Sequence, residues 1–189
     1  MAGGVRSLRQ GNARSPRPGV RRAAGRFWRS VKAMPQVDFV DSGSPWIISR
    51  SIVVDAPADR IFDVLADPRR HPDFDGSGSV RGAVSGPQRL SLGAKFGMDM
   101  RLGVPYRVSS RVKEFDEGRR IAWAHIGGHR WRYELEPLSE STTRVTETFD
   151  ATTARSARAL KLMDAYNRNA RAIEETLPRL AALVESEGQ

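Results

Sequence analysis

Between residues 79 and 148 the sequence lays down six short β-rich segments joined by tight turns, and from Ala154 to Glu187 it then holds one helical period. Strands linked that closely pair antiparallel, because parallel neighbours need a crossover of a dozen or more residues. A meander of this kind has one apolar face to bury, and a single long helix is what the sequence supplies to cover it. The strand-like segments are 79–84, 94–102, 106–115, 120–126, 130–138 and 143–148. Asp116-Glu117-Gly118 and Ser139–Ser141 mark two of the turns, and Gly127-Gly128 reads as a two-residue hairpin turn, since primed turns demand positive φ. In the helical run Leu160, Met163, Tyr166, Ala170, Ile173, Leu177, Leu180 and Val184 recur at steps of three and four. A helix of that extent would be roughly 48 Å long. Pro178 within it removes one backbone hydrogen bond and predicts a kink near Ala172–Glu174.

Upstream, residues 46–54 (WIISRSIVV) read as a first strand. Pro57 suits the start of a helix, with Ile61, Val64 and Leu65 on its buried face, and the helix stops before Asp67-Pro68. Residues 69–74 form a second short helix or a tight loop. Residues 36–45 read as a linker.

The charge is divided unevenly. The chain carries 31 Lys and Arg against 22 Asp and Glu, a net charge of +9. Nine of the cations, from Arg6 to Lys32, fall within residues 1–35, which contain no acid. The remainder is neutral, so the folded part has no net attraction for a polyanion and specific nucleic-acid binding is not expected of it. Residues 1–35 are too poor in apolar side chains to order themselves and are expected to be a disordered basic extension. Three readings stay open for it: loose contact with nucleic acid or an anionic membrane surface, targeting, or no function. Arg21-Arg22 lacks the apolar segment of an export signal. No run approaches the ~20 apolar residues that span a bilayer. The chain has no cysteine, which fits a reducing cytoplasm, the expected location.

Val54-Asp55-Ala56-Pro57, Ile61-Phe62-Asp63-Val64-Leu65-Ala66-Asp67 and His71-Pro72 resemble the polyketide cyclase/dehydrase and lipid-transport family, of the START/Bet v 1-like superfamily. The resemblance covers residues 46–186. It implies an α+β helix-grip fold: a curved antiparallel sheet of about seven strands around a long C-terminal helix, with one or two short helices after the first strand. It also implies a hydrophobic cavity between sheet and helix. Phe74 stands where relatives carry tryptophan.

Residues of one parity share a face of a strand. Residues 130–136 alternate most clearly, with Trp131, Tyr133 and Leu135 inward and Arg130, Arg132, Glu134 and Glu136 outward. The same parity points Phe96, Met98 and Met100 inward, then Tyr106, Val108, Ser110 and Val112, then Ile121, Trp123 and His125, then Val145, Glu147 and Phe149. With Met163 and Tyr166 from the helix, this set has the composition of a small-molecule pocket, mostly apolar with a polar minority in Ser110, His125 and Glu147. The bland alternative is a plain core. Glu147 is either a ligand-orienting or acid–base group, a structural partner of a buried Arg, Tyr or His, or outward-facing. His71–Asp75 reads either as a cap on the cavity mouth or as a solvated loop.

The function expected is binding of a small hydrophobic molecule such as a lipid, polyketide or aromatic metabolite. The alternative is an aromatase/cyclase or dehydratase-like enzyme in which His125, Tyr133 and Glu147 manage proton transfers. His71, His125 and His129 lack convincing metal-ligand spacing, and no nucleotide or phosphate motif is present, so neither metal nor cofactor is expected.

Overall fold

The computed structural model describes residues 36–188, together with Met1 and Gly3. The predicted basic extension otherwise lies outside the described residues. The chain divides into units 1–33 and 34–189, and the account below concerns the second.

Eight strands form one antiparallel sheet: β1 (Asp38–Val40), β2 (Ile47–Val54), β3 (Val80–Ser85), β4 (Lys95–Leu102), β5 (Val104–Asp116), β6 (Arg120–His125), β7 (Arg130–Ser139) and β8 (Thr142–Asp150). The spatial order is β1-β2-β8-β7-β6-β5-β4-β3. Six strands follow one another as a meander, and β8 returns beside β2. Helix α1 (Ala58–Ala66), a 3₁₀ turn (Pro68–Arg70) and α2 (His71–Phe74) lie between β2 and β3. Two helices, α3 (Ala157–Leu162) and α4 (Ala165–Ser186), complete the chain. This is the helix-grip architecture.

Three expectations need correction. Within the expected linker, Asp38–Val40 forms an eighth strand, paired with Ser49–Ser51. It covers the edge that β2 would otherwise leave open, and its three residues are too few to produce a periodic pattern. The Gly127-Gly128 connection is longer than two residues. The last ladder pair is Ala124 with Arg130, and only Gly128 has positive φ. The single C-terminal helix is in fact two. Asp164 adopts a left-handed backbone at φ 55° and breaks the run. Asp is among the few residues that tolerate this conformation, and Asn167 Nδ2 donates to its carboxylate at 2.6 Å. Helix α4 runs on through Pro178 without interruption.

A bulge adjusts the parity of β5. Val112 pairs with Trp123 and Glu114 with Ala122, which leaves Lys113 as the extra residue. Without it Glu114 would share the inward face of Ser110 and Val112. With it Glu114 turns outward, where it accepts from Arg130 Nη1 at 3.0 Å and from Arg132 Nε at 3.0 Å and Nη2 at 2.8 Å. Phe115 turns inward instead and meets Phe62 of α1 edge-on, ring centroids 5.3 Å apart.

The core lies under the C-terminal half of α4. Ile173, Leu177 and Leu180 are fully buried, together with Ile52 and Val54 of β2 and Ile61 and Leu65 of α1. Each such side chain contributes about 1.5–3 kcal/mol by leaving water. Helix α4 packs on β2 and β8 rather than on the far strands. The concave face of β4–β7 is therefore left to enclose something else.

Candidate functional site

That face borders a cavity of about 580 Å³. Strand β4 supplies Phe96, Met98 and Met100 to its wall, and β5 supplies Val108 and Ser110. Strands β6 and β7 supply Trp123, His125, Trp131 and Tyr133, and β8 supplies Glu147. Strand parity brings all of these together, as the alternation predicts. Tyr106 borders the same cavity but stands at its rim, 41% exposed.

Three expected lining residues lie elsewhere. Phe149 is fully buried in the core, its ring 5.0 Å from Trp131 and 5.8 Å from Tyr166. Tyr166 packs between Phe149 and Trp46. Met163, next to the left-handed turn at Asp164, is 63% exposed.

The sequence pattern underrated two groups. His71 and Phe74 form part of the wall itself. The His71 ring stacks on Trp123 at 4.8 Å, and its Nε2 donates to the Leu65 carbonyl at 3.0 Å. Burial pushes its pKa down, so the ring is neutral. The second group is polar. The N-terminal half of α4 presents Arg168, Asn169, Arg171, Ala172 and Thr176 to the cavity. A search for apolar periodicity passes over such a stripe.

Glu147 is the most constrained group in the site. It is 3% exposed and faces Tyr133 across the β7–β8 ladder. Its Oε2 has no hydrogen-bond partner among the described residues. Burial, opposed by the Tyr133 hydrogen bond and reinforced by the negative charge of Asp75, pushes its pKa up to about 8. Burial and the neighbouring Glu147 likewise push the Tyr133 phenol well above its usual value. At neutral pH both groups keep their protons. The cavity therefore holds a carboxylic acid able to donate a hydrogen bond, the state that a low-dielectric surrounding favours.

Two further imidazoles line the cavity in edge-to-face contact, His125 and His129, with ring centroids 4.2 Å apart. The Gly127 N–H donates to His125 Nδ1 at 3.0 Å, which places the His125 proton on Nε2. Burial lowers both pKa values, that of His129 to about 4 with the help of His125. Among the described residues, His129 Nδ1 is buried without a hydrogen-bond partner.

The family described as polyketide cyclase / dehydrase and lipid transport matches residues 45–185. An uncharacterized protein of Mycobacterium tuberculosis strain H37Rv is 46% identical over 153 residues, spanning 78% of this chain and 68% of its own. Among solved structures, a protein from Nitrosomonas europaea superposes with a TM-score of 0.60 at 15% identity, covering 79% of this chain and 99% of its own. The Zhui aromatase/cyclase of a Streptomyces species gives 0.56 at 17% identity, covering 76% and 95%. At such identities the structural likenesses speak for the fold. With the family pattern matching residues 45–185 and a relative 46% identical over 78% of the chain, the chain belongs to the polyketide cyclase / dehydrase and lipid transport family.

Proposed function

We propose that the protein binds a small hydrophobic molecule, a lipid, polyketide or aromatic metabolite, and acts as its cytoplasmic carrier or binding module. One observation carries this reading: a 580 Å³ cavity walled by methionine and aromatic side chains, with the buried Glu147 Oε2 unpartnered inside it. Thioethers adapt to varied apolar shapes, and a protonated carboxyl suits a carbonyl or hydroxyl on the ligand better than a carboxylate. Native mass spectrometry of the purified protein tests the proposal. A co-purifying apolar mass, or a melting-temperature rise with members of a lipid and polyketide panel, is the expected result. An empty protein that no panel member stabilises would sink it.

A second reading, an aromatase/cyclase- or dehydratase-like enzyme, draws support from the same acid. Glu147 at pKa about 8 could protonate an enolate or leaving hydroxyl. His125 fits less well. Its Nδ1 is taken by Gly127, so the ring offers a donor and acts as a base only by giving up that bond. Under this reading Glu147→Gln abolishes turnover while binding survives, and turnover that persists excludes Glu147 as the acid.

A further inference from the structure

The polar stripe on α4 gives the cavity a chemically distinct mouth. Arg168 and Arg171 stand one turn apart, both exposed and both bordering the cavity. Neither makes an ion pair among the described residues, whereas two arginines whose partners lie on the next turn of α4 do. Arg179 pairs with Glu175, and Arg50 of β2 with Glu174. The acids near the mouth are already engaged. Asp75 accepts from the backbone N–H groups of Ser77, Ser79 and Val80, and Glu175 is held by Arg179. Glu147 is neutral and buried. The two guanidiniums also lie in the first two turns of α4, which has no acid in its first turn. Cations there meet the positive end of the helix dipole, which the Asp164 carboxylate at the N-cap offsets in part and an anionic ligand would offset further.

The wall beyond the arginines is apolar, and a second unmet demand lies deeper, at the buried Glu147 Oε2. We infer that the ligand is amphipathic and anionic: Arg168 and Arg171 hold its carboxylate or phosphate head at the mouth while Met98, Met100 and Trp123 surround its apolar body. The inference rests on the binding reading above and names the class of ligand for that same cavity. Two guanidiniums suit either head group, because each offers a planar fork of donors to paired oxygens.

The test displaces a neutral fluorophore, N-phenyl-1-naphthylamine, from the full chain with dodecanoate, dodecyl phosphate or dodecanol. One or both anionic chains are expected to displace it at about tenfold lower concentration than the alcohol, the scale of two partly exposed charge-assisted contacts. Comparing the two anionic chains tells carboxylate from phosphate. The advantage should vanish in R168A/R171A and shrink at high salt, while dodecanol is unaffected. Equal displacement by all three chains in the unsubstituted protein, or an anionic preference that survives the double substitution, overturns the inference and leaves apolar binding intact. Inorganic phosphate that displaces the probe as well as dodecyl phosphate does so too. A protein that takes up neither probe nor chains refutes the binding reading, and this inference with it.

Discussion

Glu147 shows how one side chain can set the pH response of the whole domain. Its usual pKa is 4.5 and its folded value about 8, so the folded state holds an extra proton between those limits. A raised acid contributes stability that is complete below pH 4.5 and lost as pH rises through 8, by up to about 5 kcal/mol. The buried histidines act in the other direction. His71, His125 and His129 all have lowered values, so each contributes stability above pH 6.5 that is lost as pH falls towards its folded value, about 4 for His129. Above pH 6.5 the histidines are neutral in both states, and Glu147 alone among these four groups still titrates. Chemical denaturation is therefore expected to show stability falling as pH rises from 6.5 to 9. Glu147→Gln keeps the neutral shape and removes the ionisation, so it should flatten the alkaline limb and be more stable than the parent at pH 9. An alkaline limb unchanged by the substitution would assign it to another group. Glu147 was legible as a residue of interest from strand parity alone. Its protonation state was not, because that depends on desolvation and on Asp75, which approaches from a loop 72 positions away in the chain.

At the scale of elements, the cavity depends on how α4 is seated, and Gly76 fixes part of that seat. Its N–H donates to Thr176 Oγ1 at 2.9 Å. A Cβ at this position would run into the Ala172 carbonyl and the Thr176 amide of α4, and backbone atoms have little freedom to move aside. Gly76→Ala should therefore cost about 2–3 kcal/mol as overpacking, or roughly 5–10 °C in melting temperature for a domain of this size. A melting temperature within a degree of the parent would show that the α2–β3 loop can shift away from the helix. Asp164 offers a contrasting case. Its left-handed backbone is one that glycine adopts freely and a β-branched residue resists, so Asp164→Gly should be tolerated while Asp164→Val lowers the melting temperature. Equal effects of the two would assign the break to tertiary packing instead. The same two places show where sequence pattern stops. Period-two alternation located β4 to β8 within a residue or two, because one buried face imposes it over many positions. A single non-helical residue inside a helical period leaves no such trace, so the period points Met163 at the sheet although the side chain is exposed. The Lys113 bulge likewise reverses the parity of Glu114 and Phe115 by a backbone device with no side-chain signature.

For the molecule as a whole, the separation of charge from cavity carries the last prediction. Residues 1–35 hold nine cations and no acid, and the rest of the chain is neutral. The surface of the folded part is also locally neutralised, with Glu114 facing two arginines and Arg89 paired with Asp63 at 2.6 Å. Two properties should then separate on truncation. A chain beginning at Met34 is expected to melt where the full chain does and to bind the neutral fluorophore equally, because every cavity residue among the described residues lies beyond that point. Binding to vesicles containing anionic lipid should follow the tail instead. The full chain should adsorb at low ionic strength and release as salt rises, since each neutralised headgroup adds to the salt slope and screening shortens the reach of exposed charge. The truncated chain should adsorb weakly, through Arg168 and Arg171 alone. A truncated chain that melts lower would make residues 1–33 part of the fold. One that adsorbs as strongly as the full chain would move surface attraction onto the domain, and the cavity mouth would then be the place to look for it.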